Sequence, residues 1–270
     1  MRGEIILWNS YFGFVITFVA IFTLVPYLTS LITSWLGHLS KITLVNNLGN
    51  NSQLVVGGLG VIIHELGHAI FAYLFGHQVT HVQLLNTHYK QSGSLGSVDH
   101  RWNDRNVYQM LGNFFIGLAP YYMCSLALFL LQKYLLKAQF SVSSLAQSLN
   151  VNTTFSVSMI FDSALDNLKA SFANASWGMI IIYVILTIMI ASTGYDLSRN
   201  DFMTVNKGIL PWVVVLIVTG SVLYLMNIRT AVISGAIYFV SFSVLFMFHA
   251  LISILLSIIV LKILGMFNFL

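Results

Sequence analysis

Long apolar runs constrain this chain more than any other feature. Charged residues make up 7% of its 270 positions and hydrophobic residues 57%, whereas about a quarter of an ordinary soluble domain is charged. A helix that crosses the hydrocarbon core of a bilayer needs about 20 predominantly apolar residues, because no water is present there to satisfy its backbone. The composition therefore excludes a soluble globular protein and predicts an all-α, polytopic transmembrane bundle in contact with the lipid bilayer.

Six apolar runs are predicted as membrane spans: 5–36, 54–75, 110–131, 177–192, 209–226 and 232–264. The last run is long for one span, and we interpret it as one tilted helix rather than as a broken or doubled span. Six spans place both termini on one side, and a small excess of Lys and Arg there favours the cytosol. We expect a single membrane-embedded domain over 1–270, located in the cell membrane. The net charge of +4 is spread over short loops and indicates no nucleic-acid partner.

The second apolar run contains the sequence His64-Glu65-Leu66-Gly67-His68. Residues four apart lie on one face of a helix, so the imidazoles of His64 and His68 can bind the same Zn²⁺. Glu65 is suitably placed to take a proton from a water molecule activated by the zinc. Ionisable side chains inside a span are costly and are usually functional. The motif therefore predicts a zinc site with Glu65 as its general base.

The scarcity of Glu narrows the class of zinc site. Glu4 and Glu65 are the two Glu of the chain, so no Glu follows the motif as a third ligand. Phe71 stands where the longer His-x-x-Gly-x-x-His continuation requires Gly. These two classes of soluble zinc protease are thereby excluded, and the third ligand is expected to be an Asp, a His or a less usual group.

The motif and its surroundings resemble the M50 metallopeptidases, the site-2 protease family of intramembrane zinc proteases. The resemblance covers about 54–201, or roughly half of the chain. It rests on the His-Glu-Leu-Gly-His-Ala motif inside a span, the Gly-Leu-Ala-Pro segment 117–120 of a following span, and an Asp near the end of a later span. It implies hydrolysis of membrane-spanning or membrane-associated peptides by a zinc held by two His and one Asp. The chain would be a compact branch without a PDZ or CBS domain, with the active site nearer the cytosolic side.

Asp196 is the preferred third ligand. Its competitor Asp201 has a local explanation, because Ser198-x-x-Asp201 is a variant of the helix capping box. His249 is another rival, since three His also suit zinc, but a buried His hydrogen-bonded to a neighbouring helix would explain it equally. The less favoured candidates are Asp99, His100 and Asp104.

The loop after the motif is expected to form a short cytosolic hairpin near the site, from 79–85 and 93–98, because the first segment alternates polar and apolar residues. The edge of such a hairpin could receive an unwound substrate as an added strand. The histidines of this loop match no compact metal-binding pattern and are expected to be solvated: His77, His81, His88 and His100.

Asn113, a polar residue of the third span, is a candidate for binding the substrate backbone, with an interhelical hydrogen bond as its alternative role. The competing function for the whole chain is a non-proteolytic membrane protein, either a divalent-metal transporter or a metal-binding regulatory pseudo-protease. A transporter would need polar residues through several spans. Few are present besides those of the motif, Asn113 and His249.

Overall fold

A computed structural model describes residues 10–138 and 157–267. These residues form helices and one two-stranded sheet, which confirms a predominantly helical class. In chain order the elements are α1 (Tyr11–Leu48), α2 (Ser52–Val55), α3 (Gly58–Leu74), β1 (Gln78–Gln83), α4 (Tyr89–Ser92), β2 (Ser97–Arg101), α5 (Val107–Leu135), α6 (Val157–Asn174), α7 (Trp177–Ala191), α8 (Arg199–Leu225) and α9 (Arg229–Phe267).

Four helices of the described part are long and apolar enough to cross a membrane, namely α1, α5, α8 and α9. The shorter helices α3 and α7 are apolar as well and coincide with two further predicted spans. Over the residues that the structure describes, each of the six apolar runs therefore lies mainly in a helix of its own, although the second run begins in α2. The last of them, α9, is continuous over 39 residues, as expected for a single helix.

Two helices extend beyond the apolar runs that predicted them. Helix α1 continues to Leu48 instead of ending near position 36, and α8 begins at Arg199, before the run 209–226. The start of α8 is stabilised by the expected capping box, in which Ser198 Oγ accepts the Asp201 N–H at 3.2 Å and Asp201 Oδ2 accepts the Ser198 N–H. The cap allows the polar residues before the apolar run to be helical.

Helix α1 is a partner of the later helices along its whole length. It runs parallel to α9, because Ser40 donates to Ser257 at 3.1 Å and Leu44 packs on Leu261 near the ends of both helices. It runs antiparallel to α8, whose end lies beside the start of α1. Residues 192–198, which we call the α7–α8 linker, connect α7 to α8, and both of these helices run antiparallel to α1.

The β1–β2 hairpin folds back along α3. The strands pair antiparallel, with Val82 opposite Val98. Beyond the strands, Leu85 lies against Gly58 at the first turn of α3, and the Tyr89 hydroxyl donates to Asn51 at 3.3 Å. The expected hairpin is thus present, with strands 78–83 and 97–101, and it lies beside the motif helix.

Candidate metal centre

The two imidazoles of α3 are oriented by backbone carbonyls of other segments. His64 Nδ1 lies 3.0 Å from the carbonyl oxygen of Gly194 in the α7–α8 linker, and His68 Nδ1 lies 2.9 Å from that of Ile116 in α5. A carbonyl can only accept a hydrogen bond, so Nδ1 carries the proton in both rings. When neutral, the two rings therefore present their Nε2 lone pairs, as in metal-binding histidines.

These lone pairs converge with one carboxylate. The two Nε2 atoms are 3.3 Å apart, and Asp201 places Oδ1 3.1 Å from His68 Nε2 and Oδ2 3.7 Å from His64 Nε2. Ligand atoms at the corners of a tetrahedron around zinc stand about 3.3 Å apart, given zinc–ligand distances of about 2.0–2.1 Å. His64, His68 and Asp201 could therefore hold a metal ion. A cation would offset the repulsion between the facing atoms of these residues, whose lone pairs can only accept hydrogen bonds.

Helix α8 reaches this point because it passes very close to α5. A Cβ atom on Gly117 would come within 2.5 Å of both the Asp201 carbonyl oxygen and the Val205 side chain. A side chain at position 117 would consequently push the first turn of α8 away from His68. Gly117, which begins the Gly-Leu-Ala-Pro segment, thus determines where the Asp201 carboxylate can lie.

Glu65 faces a cavity of about 770 Å³ that the three ligand residues also line. The linker and the start of α8 form part of the wall, and residues 93–100, which include most of β2, form another part. Gly96 is pressed against the glutamate, because a Cβ atom there would lie 2.6 Å from Glu65 Cγ. The cavity therefore brings Glu65, the three residues that could hold a metal ion and residues of β2 together.

Asp201, and not the expected Asp196, lies with His64 and His68 in the group that could hold a metal ion. Asp196 is engaged elsewhere, with Oδ2 2.9 Å from Lys41 Nζ and Oδ1 3.0 Å from His38 Nδ1. In the sequence, the capping role of Asp201 is a reason to prefer Asp196 as the ligand. In the structure the cap uses Oδ2 of Asp201, and Oδ1 faces His68. A carboxylate has enough lone pairs for both interactions.

The other candidate ligands lie outside this cluster. His249 is half-buried and its Nε2 lies 3.0 Å from the Tyr183 hydroxyl of α7, which is the interhelical hydrogen bond expected as its alternative explanation. Asp99 and His100 line the cavity without joining the three-residue cluster, and Asp104 is exposed.

Asn113 is not brought to the cavity. Its side chain is 1% exposed and donates from Nδ2 to the Met110 carbonyl at 3.3 Å. Among the described residues its Oδ1 has no hydrogen-bond partner. The geometry thus provides no contact between Asn113 and a substrate in the cavity.

The hairpin histidines divide into an exposed pair and a less exposed pair, in which His77 is buried and His100 is half-buried. His81 and His88 are exposed, as expected, whereas His77 is buried. His77 Nε2–H donates to the Gln109 carbonyl at 2.8 Å, which leaves His77 Nδ1 to accept from His100 Nδ1–H at 2.9 Å. Burial lowers the pKa of His77, and burial together with nearby cationic groups lowers the pKa of His100 to about 4.

The two carbonyls that orient the imidazoles and the contact at Gly96 were not predicted, because each comes from a segment distant in sequence from the motif. Ser198-x-x-Asp201 was the available signal for the third ligand, since it places Asp201 in the first turn of a helix.

Comparisons with protein-family models, with curated proteins and with solved structures found no match.

Proposed function

We propose that this protein is an intramembrane zinc metalloprotease of the M50 type. The observation that carries the proposal is the convergence of His64 Nε2, His68 Nε2 and the Asp201 carboxylate beside Glu65 in one cavity. Two His and one carboxylate are a common ligand set of catalytic zinc, which leaves a coordination position for water or substrate. The helices that carry these residues are apolar, which favours a membrane-embedded site.

Each residue of the site has a role in the proposed hydrolysis. When bound, zinc would polarise the scissile carbonyl and lower the pKa of the attacking water. Glu65 would accept the proton of that water and deliver it to the departing amine. The carbonyls of Gly194 and Ile116 would keep the imidazoles in the tautomer that exposes Nε2.

The proposed substrate is a membrane-spanning or membrane-associated peptide. An intact helix hides its carbonyl groups in internal hydrogen bonds, so a substrate must unwind before attack. In the described sheet β2 pairs with β1 on one side only, and its residues line the cavity. We infer that an unwound substrate adds to the free edge of β2, beside Glu65.

We propose five membrane crossings, made by α1, α3, α5, α7 together with α8, and α9. Helices α7 and α8 count as one crossing because both run antiparallel to α1, with Leu44 packed on Ile188 and Tyr11 hydrogen-bonded to Ser221. The N-terminus would face the cytosol and the C-terminus the other side, because the expected six crossings would require α1 and α9 to be antiparallel, whereas they are parallel. The active site would lie nearer the cytosolic side.

Cysteine substitutions at the exposed positions Lys133 and Arg101, labelled with a membrane-impermeant reagent in intact cells, would test this arrangement. We expect labelling at position 133 and none at position 101, and the reverse pattern would contradict the orientation.

The decisive variant is Glu65→Gln, which keeps the size of the side chain and removes its basicity. We expect it to retain zinc and to lose about 10²–10⁴-fold in cleavage of a membrane-peptide library, the usual contribution of a general base. Glu4→Gln is the matched control and should cleave normally. Cleavage by the Glu65→Gln variant at the wild-type rate would refute the proposed protease activity. Metal flux through vesicles that contain the reconstituted protein would instead indicate a divalent-metal transporter.

A further inference from the structure

The α7–α8 linker holds two parts of the metal centre in place. The Gly194 carbonyl within the linker orients His64, and Asp201 follows three residues after its end at Ser198. A displacement of the linker would therefore move one imidazole and the carboxylate together. What fixes the linker is thus relevant to how well the site can bind a metal.

One face of α1 fixes the linker. Ser34, Gly37, His38 and Lys41 have the spacing of residues on a single helix face, and all four contact the linker. A Cβ atom on Gly37 would lie 2.7–2.9 Å from atoms of Tyr195, so that the two backbones touch there. Helix α1 lies outside the segment 54–201 that resembles the protease family.

Hydrogen bonds secure the end of the linker that leads into α8. Ser34 Oγ accepts the Leu197 N–H at 3.2 Å and lies 3.4 Å from the Leu197 carbonyl oxygen. A single hydroxyl can therefore satisfy both backbone groups of that residue. The contact lies one residue before the Ser198 cap of α8.

The charged contact to the same linker is made by Lys41. Its Nζ lies 2.9 Å from Asp196 Oδ2, while His38 occupies the second oxygen at 3.0 Å. The Asp196 side chain is 13% exposed and that of Lys41 is 32% exposed, so this pair is less screened than one at an open surface. Without Lys41, Asp196 would lose its one fully cationic partner among the described residues and would tend to move towards water, taking the linker with it.

We propose that Lys41, acting through Asp196, is a positioning residue for the metal centre. The inference rests on the proposed metal site, but it does not require that the protein cleave peptides. Lys41 fixes Asp196, Asp196 fixes the linker, and the linker fixes the Gly194 carbonyl and the first turn of α8. Groups hydrogen-bonded directly to a metal ligand, as the Gly194 carbonyl is to His64, typically contribute roughly 10–100-fold to metal affinity, and Lys41 acts through that carbonyl.

Metal affinity of the full chain in detergent tests this proposal. The metal-free protein would be titrated with Co²⁺, whose absorption bands report the number and arrangement of ligands, and Zn²⁺ affinity would be measured by competition. We expect Lys41→Met and Asp196→Asn each to weaken Zn²⁺ binding by about 10–100-fold and to alter the Co²⁺ spectrum. Lys41→Arg should retain both properties, because it keeps the charge.

Two controls make the result specific. Lys133→Met removes a cation from an exposed position of α5 and should bind metal normally. The double variant Lys41→Met, Asp196→Asn should bind no more weakly than the weaker single variant, because both changes interrupt the same connection. Should Lys41→Met fail to fold, the comparison of Asp196→Asn with Lys41→Arg provides the same test.

Wild-type affinity in both Lys41→Met and Asp196→Asn, or fully additive losses in the double variant, would overturn the inference. So would a lower melting temperature with unchanged metal affinity, which is the result of a purely structural ion pair. These outcomes are separate from those of the proposed function, because a Glu65→Gln protein that cleaves at the wild-type rate would leave the metal titrations unaffected.

Discussion

Asp201 uses its two carboxylate oxygens for different purposes. Oδ2 accepts the Ser198 N–H and closes the capping box at the start of α8, while Oδ1 lies 3.1 Å from His68 Nε2. With Oδ2 held by the cap, Oδ1 faces His68, and Oδ2 itself also lies 3.7 Å from His64 Nε2. Stability of the helix start and binding of the metal are therefore separable by mutation at two positions.

Ser198→Ala should lower stability and leave the metal in place. Loss of an N-cap hydroxyl costs about 0.5–2 kcal/mol, and the Asp201 carboxylate stays. Asp201→Ala should lose both the cap and the bound metal. Thermal melting and zinc content after purification distinguish the two variants, and an Asp201→Ala protein with wild-type zinc content would show that another group completes the site.

The sequence predicted the residues of the site whose relation is local. His64, Glu65 and His68 lie within five positions, and helix geometry alone relates them. The choice between Asp196 and Asp201 depended on where α8 begins, which is decided by a cap and by the passage past α5. A hydropathy pattern reports burial in a membrane and does not report such contacts between helices.

Within the β1–β2 hairpin, the strand that lines the cavity is β2. The proposed addition of a substrate strand to the free edge of β2 can therefore be tested by mutation. Successive residues of a strand direct their N–H groups to opposite edges. Of the two neighbours Ser97 and Val98, one therefore donates towards β1 and the other towards the free edge. Proline removes that donor in either case.

We expect one of the two variants Ser97→Pro and Val98→Pro to abolish cleavage with zinc content and melting temperature unchanged. The other should destabilise the hairpin itself, because it removes a hydrogen bond of the sheet. Val82→Pro on β1 is the comparison, since β1 does not line the described cavity. Normal cleavage in both β2 variants would contradict strand addition at this edge.

Acidification should open the same hairpin locally. Burial lowers the pKa of His100 from 6.5 to about 4 and also lowers that of His77. An opened hairpin regains the ordinary affinity for protons, so opening becomes more favourable as the pH falls from 6.5 towards 4. Asp99 opposes the shift at His100, and Lys207 adds to it.

Hydrogen exchange of the strand amides at pH 7 and pH 5, corrected for the intrinsic rates, measures this effect. We expect weaker protection at pH 5, and a smaller difference in the variant His77→Asn, His100→Asn. Equal protection at both pH values in the wild-type protein would contradict the burial of these rings.

The six apolar runs predicted the six long or apolar helices that carry them, but not the ends of those helices. Residues after position 36 of α1 are more polar, and such polarity predicts the end of a span. In the structure this part of α1 is helical because its polar side chains meet partners, such as Ser40 on Ser257 and Lys41 on Asp196. Tertiary contacts therefore extend an element beyond the point that its composition indicates.

At the scale of the whole molecule, the metal centre joins helices that are far apart in the chain. His64 and His68 belong to α3, Asp201 belongs to α8, and the orienting carbonyls come from α5 and the linker. A ligand that binds the folded state and not the unfolded one stabilises it, by about 2.7 kcal/mol at a free concentration one hundred times its Kd. The metal should therefore contribute to the stability of the bundle as well as to its chemistry.

Removal of the metal with a chelator should lower the melting temperature by about 5–10 °C, since a chain of this size shifts by about 2–4 °C per kcal/mol. Restoring zinc should restore the melting temperature, and both changes should be absent in the variant His64→Ala, His68→Ala. Glu65→Gln provides the complementary control, because it keeps all three ligands and should respond to the chelator like the wild-type protein. A wild-type melting temperature that does not depend on zinc would mean that α3 and α8 are held together by packing alone. The close passage of α8 over Gly117 would then suffice to keep the carboxylate beside the imidazoles without a cation.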